Sequence, residues 1–164
     1  MRETTVLRNR VINDDRPLER KTLHGIFQGH GAQHKIIWIC TRPSRFEPTH
    51  WIEDFCNKLE KQRYASSAVQ GMVVESAWHA HESKKPEFAG DNVAFWVEED
   101  LDADKSLTKR VGLASHMYDT PEAPAAIVVV RPDLYVAYSG LIRSSNDIDH
   151  AFEFLNGYIR TVDN

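Results

Sequence analysis

The sequence predicts an α/β domain with a mixed central sheet and flanking helices. Residues 34–40, "HKIIWIC", form a continuous run of β-branched and aromatic residues, which is typical of a strand buried on both faces. A helix from Thr49 and a second strand follow, and a strand–helix–strand unit favours a parallel pair with a right-handed crossover. Residues 125–130 and 134–139 are joined by a turn too short for any crossover, so this pair must be antiparallel.

Each remaining element has a signal of its own. In the helix that starts at Thr49, the apolar residues Ile52, Phe55, Cys56 and Leu59 share one stripe that is expected to face the core. The other expected elements are a short helix or docking segment at 18–28, strands at 71–80 and 92–100, a short helix at 102–112 and a last helix at 146–161.

The two ends of the chain have different patterns. Residues 1–17 are polar and are expected to form an N-terminal arm, whereas residues 18–164 are expected to form a single domain. The last helix has Ser145 or Asn146 as its expected N-cap, because acidic residues fall in the turn that follows.

Composition excludes several classes of partner. The chain has 164 residues, a net charge of −4 and a pI of about 6.0, which gives no reason to expect nucleic acid or an anionic membrane as a partner. No apolar run approaches the ~20 residues of a membrane span, and the N-terminus lacks the apolar stretch of a signal peptide. Cys40 and Cys56 are too few for a disulfide framework. We therefore expect a cytoplasmic protein.

The order of the elements is that of a thioredoxin-like fold, in which a βαβ unit is followed by a helix and a ββα unit. That fold places a proline, often after a cis peptide bond, before its third strand, and Pro124 stands at this position. A thioredoxin has Cys-x-x-Cys after its first strand, but this chain has Cys40-Thr41-Arg42-Pro43 there. The prediction is a thioredoxin-like fold with no CxxC and no dithiol exchange, in which Cys40 is expected to be a buried, inert thiol at a strand end. A thiol peroxidase or glutathione-linked enzyme with a single reactive Cys40 is a third functional hypothesis.

The hairpin segment "AIVVVRPDLYVAY" resembles the end of the C-terminal thioredoxin-like domain of phenol 2-monooxygenase-type FAD-dependent aromatic hydroxylases. The segment "KTLHGIFQGHGAQHKIIWIC" is similar to the entry of that domain, so the resemblance extends over about Leu18 to Arg160. The flavin-binding and hydroxylase modules of the family are missing, and no G-x-G-x-x-G fingerprint follows a strand. The chain thus resembles a free-standing copy of the appended domain, and we expect no cofactor.

The resemblance implies self-association, because in this family the domain contributes to dimer contacts. The first functional hypothesis is therefore an interaction or dimerisation module that acts as a homodimer or docks on a separately encoded flavin-dependent aromatic monooxygenase. Within the hairpin, Pro132 and Asp133 are expected to shape the turn, since proline presets φ and aspartate can accept a hydrogen bond from the backbone two residues on. Arg131 is expected either to hold the hairpin or to bind an anionic ligand.

A small cofactor-independent enzyme is the second functional hypothesis. It would be an isomerase, cyclase or lyase that acts on an aromatic or polyketide-like metabolite. Its candidate acid–base residues are His79, His81, His116 and Tyr118. Its candidate substrate-binding residues are Arg42, Arg131, Trp78 and Trp96. His79 and His81 are two residues apart and would share one face of a strand, as metal ligands in sheets do, but we expect no metal site.

Overall fold

The structure is a computed structural model of the whole chain. It describes residues 6–9, 20–28, 32–40, 49–62, 68–76, 90–98, 107–113 and 123–162.

Within these residues the strands form one seven-stranded sheet, in the order β2-β1-β5-β4-β3-β6-β7. The strands are β1 (Val6–Asn9), β2 (Arg20–Thr22), β3 (His34–Cys40), β4 (Val69–Ser76), β5 (Val93–Glu98), β6 (Ala125–Val130) and β7 (Val136–Ile142). Strand β3 is parallel to β4, and β4 is parallel to β5. Strand β6 runs antiparallel to both β3 and β7. The predicted mixed sheet is confirmed.

Two strands precede the part of the sheet that the sequence pattern predicted. Val6–Asn9, expected to belong to an arm, is strand β1, which lies antiparallel to β5 and to β2. These strands have four and three residues, too few for an alternation of apolar and polar side chains to be recognised in the sequence. Strand β1 joins the sheet by pairing with the distant β5, and β2 joins it through β1. The expected division into an arm and one domain stays a prediction.

The helices lie on both faces of the sheet. They are α1 (Leu23–Gln28), α2 (Thr49–Lys61), α3 (Leu107–Arg110) and α4 (Ser145–Val162). On one face, α2 and α4 pack with the sheet around Trp38, Phe55 and Phe152, and Phe55 contacts both other rings. On the opposite face, residues of α1 and α3 pack with the sheet around Met72 and Trp96. The predicted stripe of α2 is confirmed, since all four of its residues are buried.

Helix α2 approaches β4 closely at Gly71. A Cβ atom at this position would lie 2.2 Å from Cδ2 of Leu59 and 3.1 Å from Cγ2 of Val93. The strand therefore accommodates the helix because residue 71 has no side chain.

The N-terminus of α4 is capped by the carboxylate of Asp147. The helix begins at Ser145, so Ser144 is the N-cap, one residue before the earlier of the two expected caps. The Asp147 carboxylate accepts hydrogen bonds from the backbone N–H groups of Arg143 at 2.9 Å and Ser144 at 2.8 Å. These bonds, that from Arg143 first, lower the pKa of Asp147. The expected cap was shifted because the carboxylate reaches back to residues that lie before the helix.

Replacing Asp147 with alanine is expected to lower the free energy of unfolding at pH 7 by about 1 kcal/mol, the usual contribution of a capping interaction. Because the pKa of Asp147 is lowered in the folded state, its contribution is complete above the carboxyl's ordinary pKa and is lost as the pH falls through the lowered value. Urea unfolding at pH 7 and pH 3 measures both effects. Asn146→Ala, in the same turn, is the control; equal stabilities of wild type and Asp147→Ala at pH 7 would show that the carboxylate cap contributes nothing.

Candidate functional site

Most of the expected catalytic and substrate-binding residues lie outside the described residues. These are His79, His81, His116, Tyr118, Arg42 and Trp78. The acid–base site of the enzyme hypothesis therefore stays a prediction. Within the described residues, no group of three or more histidine, cysteine, aspartate or glutamate side chains is placed to hold a metal ion.

Arg131 lies at the start of the β6–β7 hairpin turn. Its guanidinium Nη2 lies 2.6 Å from Oδ2 of Asp133, and both side chains are about half exposed. Oδ1 of Asp133 accepts a hydrogen bond from the Tyr135 N–H at 3.4 Å, and the Leu134 N–H donates to the Arg131 carbonyl at 2.9 Å. In this structure the ion pair between Arg131 and Asp133 stabilises the turn, and Pro132 is the second of its four residues. A role for Arg131 with an anionic ligand stays a prediction.

Trp96 lies in the apolar cluster on the α1 and α3 face, where it is 4% exposed. The strand register places it level with Ala126, whereas Arg131 follows Val130 at the other end of β6, three strands away. The structure therefore does not bring the candidates Arg131 and Trp96 together. Among the residues that the structure describes, none accepts a hydrogen bond from the buried Trp96 indole N–H.

Pro124 immediately precedes β6, as expected. No peptide bond within the described residues is cis, so the Ala123–Pro124 bond is trans. The cis bond that the fold often has before this strand is therefore not present at Pro124.

Cys40 is fully buried at the carboxyl end of β3. Its thiol donates to the carbonyl oxygen of Val74 on β4 at an S–O distance of 3.8 Å. Glu75 is directly opposite Cys40 in the parallel ladder and is also buried, at 4% exposed. A fully buried cysteine of this kind is typically a structural residue that does not react. The arrangement is therefore unsuited to nucleophilic chemistry at Cys40.

The sequence analysis missed an exposed apolar surface on β7 and the turn before it. Leu134, Tyr135 and Val136 are 40%, 71% and 61% exposed, the large hydrophobic residues with the highest exposure among those described. Leu134 also holds a φ of 69°, a left-handed conformation that is unfavourable for a branched side chain. We call Tyr135 and strand β7 the β7 edge surface. The missed signal was "VAYSGLI", a seven-residue strand without a charged residue.

An aromatic row adjoins this surface. Tyr138 on β7 contacts Phe154 on α4, with ring centroids 5.2 Å apart, and Phe154 stacks on Tyr158 at 5.7 Å. A Cβ at Gly140 would lie 2.7 Å from the Tyr138 hydroxyl oxygen, so the ring lies over the bare backbone of Gly140. Trp38, Phe95 and Trp96 are buried, whereas Tyr135 is exposed.

Comparison with known proteins identifies the fold of the chain but assigns it to no family. No family model matches the chain, and no curated protein matches it. The mitochondrial 2-cys peroxiredoxin of Plasmodium falciparum aligns over 99% of this chain and 92% of its own, with 13% identity and a TM-score of 0.57. ScoI of Arabidopsis thaliana, solved with copper bound, aligns over 97% of this chain and 98% of its own, with 10% identity and a TM-score of 0.55.

The exposed lipoprotein thioredoxin Etrx1 of Streptococcus pneumoniae aligns over 92% of this chain and 98% of its own, with 11% identity and a TM-score of 0.51. The chain has a thioredoxin-like fold. The resemblance to the phenol 2-monooxygenase domain is thus confirmed for the fold alone, because none of these neighbours links the chain to a monooxygenase.

Among the described helices, none has both the length and the apolar character needed to cross a membrane.

Proposed function

We propose that the chain is a non-redox interaction module with a thioredoxin-like fold, which binds a protein partner through the β7 edge surface. The observation that carries the proposal is the exposure of Tyr135 and Val136 beside an uncharged strand at the edge of the sheet. Strand edges of this kind readily accept another strand.

The two edges of the sheet differ in a way that supports this function. Strand β2, at the opposite edge, has three residues, "RKT", of which two are positively charged. Short strands and lysine are the usual means by which proteins protect an edge from pairing. Strand β7 is seven residues long and carries no charge, and its one irregularity is a bulge between Val136 and Tyr138. An edge of this composition is suited to a specific partner.

The redox hypothesis is the main competitor, because the structural neighbours include a 2-cys peroxiredoxin and a copper-bound Sco protein. Such likeness at low identity is a likeness of fold, and function depends on the site. In this chain the candidate thiol, Cys40, is fully buried and bonded to a backbone carbonyl.

The thiols are therefore expected to be inert in the folded protein. In a Cys56→Ser variant, which keeps Cys40 as its single thiol, alkylation is expected to proceed at least 100-fold more slowly than in urea, because a fully buried thiol reacts only after the protein opens. Mass spectrometry follows the alkylation, and peroxide consumption is measured in parallel. Cys40→Ser is the control for peroxide consumption. Rapid alkylation of native Cys40, with peroxide consumption lost in Cys40→Ser, would overturn the non-redox function.

Docking on a flavin-dependent aromatic monooxygenase is the part of the proposal that rests on the sequence resemblance. Light scattering tests this docking, with the pure protein measured alone and mixed with such an enzyme from the same source. A larger species in either sample supports an interaction module. A protein that remains monomeric at 100 μM and does not bind the monooxygenase would count against the interaction module.

A further inference from the structure

The only Asn-Gly pair in the sequence lies within the second half of helix α4, at Asn156 and Gly157. Asn-Gly is typical of turns, where both residues adopt conformations that other residues avoid. The pair is also chemically labile in a flexible chain, because glycine has no side chain to hinder attack of its backbone nitrogen on the asparagine amide. Its position inside a long helix is therefore unusual.

Packing does not account for either residue. Gly157 is exposed, and a Cβ atom there would meet nothing within 4 Å, so no close approach requires glycine. Glycine is less favourable than alanine in the interior of a helix. The Oδ1 atom of Asn156 is buried, and no donor in the described part of the chain forms a hydrogen bond with it. No such bond therefore fixes the amide in place beside the Gly157 backbone.

We infer that Asn156 is a site of spontaneous deamidation, and that local opening of the second half of α4 controls the reaction. The backbone nitrogen of Gly157 loses its proton to water and attacks Cγ of Asn156. The new N–Cγ bond closes a succinimide ring as the Cγ–Nδ2 bond breaks, and Nδ2 takes up a proton and leaves as ammonia. Water then opens the ring. Cleavage of the N–Cγ bond gives aspartate, and cleavage of the bond to the backbone carbonyl carbon gives isoaspartate.

The closed helix opposes this reaction. In an α-helix the Gly157 N–H donates to the carbonyl oxygen of Glu153, four residues earlier. Ring closure requires this nitrogen to leave that hydrogen bond and to turn toward Cγ of Asn156. The reaction therefore proceeds only in molecules in which this part of the helix has opened.

The contacts that follow the pair determine how often the helix opens. The ring of Tyr158 stacks on Phe154, with centroids 5.7 Å apart, and meets the ring of His34 edge-on at 5.4 Å. Ile159 is buried in the core. Gly157 lies directly before these anchored residues, so opening has to break the contacts of Tyr158 and Ile159. These contacts slow the reaction without preventing it.

The two products differ in their effect on α4. Isoaspartate leads the main chain through Cβ and Cγ, which adds one carbon atom to the backbone and breaks the helical register. Tyr158 and Ile159 then lose the positions from which they pack. Aspartate keeps the register but places a carboxylate three residues after Glu153, where like charges are unfavourable. The isoaspartate product therefore releases the end of α4, and the aspartate product loosens it less.

Incubation of the whole protein at pH 8, in native buffer and in guanidinium chloride, tests the site. Peptide mass spectrometry measures the loss of the amide at each asparagine. Asn156 is expected to react first in both samples, and at least tenfold more slowly in native buffer, because the reaction there depends on opening. Asn92 and Asn146 are internal controls, since the side chains of Val93 and Asp147 hinder ring closure.

Two variants separate the reaction from its consequence. Gly157→Ala keeps Asn156 but places a methyl group beside the attacking nitrogen, so it is expected to slow deamidation even in guanidinium chloride, where helix stability has no influence. Asn156→Asp carries the charge of the aspartate product on an unaltered backbone. By hydrogen exchange, the amides of residues 157–161 are expected to exchange at least tenfold faster in the purified isoaspartate form than in Asn156→Asp.

Each part of the inference has an outcome that contradicts it. An Asn156 amide that stays intact in the native protein would overturn the site. Equal rates in native buffer and in guanidinium chloride would overturn control by opening of the helix. Equal hydrogen exchange in the isoaspartate form and in wild type would overturn the effect on α4.

Discussion

Replacing Gly71 with alanine is expected to lower the free energy of unfolding by about 1–3 kcal/mol, although glycine is itself unfavourable within a strand. Alanine would gain about 0.5–1 kcal/mol from backbone entropy. Its Cβ, however, would lie 2.2 Å from Cδ2 of Leu59, far inside the contact distance of two carbon atoms. Helix α2 must move or Leu59 must leave its rotamer, and overpacking of this kind outweighs the entropic gain.

A double-mutant cycle tests this reason specifically. Leu59→Ala alone is expected to cost about 2–5 kcal/mol, because it leaves a cavity at a fully buried position. In the double variant the new Cβ occupies part of that cavity, so the two effects are expected to fall short of their sum by at least about 1 kcal/mol. Urea unfolding measures all four stabilities, and simple additivity would contradict the proposed contact.

Gly157 in helix α4 is the matched control. A Cβ there meets nothing within 4 Å, so Gly157→Ala adds a methyl group without a clash. In a helix this change is expected to stabilise the protein by about 0.5–1 kcal/mol. Opposite signs for the two glycine-to-alanine changes would establish that the close approach of Leu59, and not a general effect of glycine, determines the result at position 71.

Lys35 is expected to make the protein more stable as the pH rises from about 8 to 10.5. This residue of β3 is only 2% exposed, and its Nζ donates to Oε1 of Gln70 at 2.5 Å. Burial lowers the pKa of Lys35 from 10.5 to about 8. Between these values the unfolded chain binds a proton that the folded chain has released, so raising the pH favours the folded state.

The size of the effect follows from the shift in pKa. A change from 10.5 to about 8 corresponds to roughly 3 kcal/mol, which is the destabilisation that the buried ammonium causes below pH 8. Lys35→Met, which removes the charge but keeps much of the apolar stem, is expected to be more stable than wild type at pH 7. Its stability is expected to lack the rise that wild type shows above pH 8.

Urea unfolding at pH 7, 8, 9 and 10 measures the difference between the wild type and Lys35→Met. Lys61→Met, at an exposed position of α2, is the control and is expected to follow the wild-type pH dependence. Parallel curves for wild type and Lys35→Met would mean that Lys35 is protonated in the folded state throughout this range, contrary to the expectation.

The sequence predicted the central part of this fold because its local patterns agree with the tertiary structure. "HKIIWIC" is strand β3 with the predicted bounds, and the stripe on α2 faces the core. It could not predict β1 and β2, whose few residues gain their conformation from pairing with β5 and with each other. The candidate site was harder to predict, since six of its residues remain predictions and Trp96, chosen as a ligand contact, is part of the core.

By itself, the sequence determined a thioredoxin-like α/β fold without Cys-x-x-Cys, because periodicity, turn length and cysteine spacing are local properties of the chain. Only the tertiary structure decided that the buried Cys40 lies beside Val74 and Glu75, that Lys35 is taken out of water, and that β7 lies at an edge of the sheet. These properties depend on which distant strands become neighbours. The same uncharged residues of β7 would be ordinary core in a central strand, and their position at the edge makes them a surface for a partner.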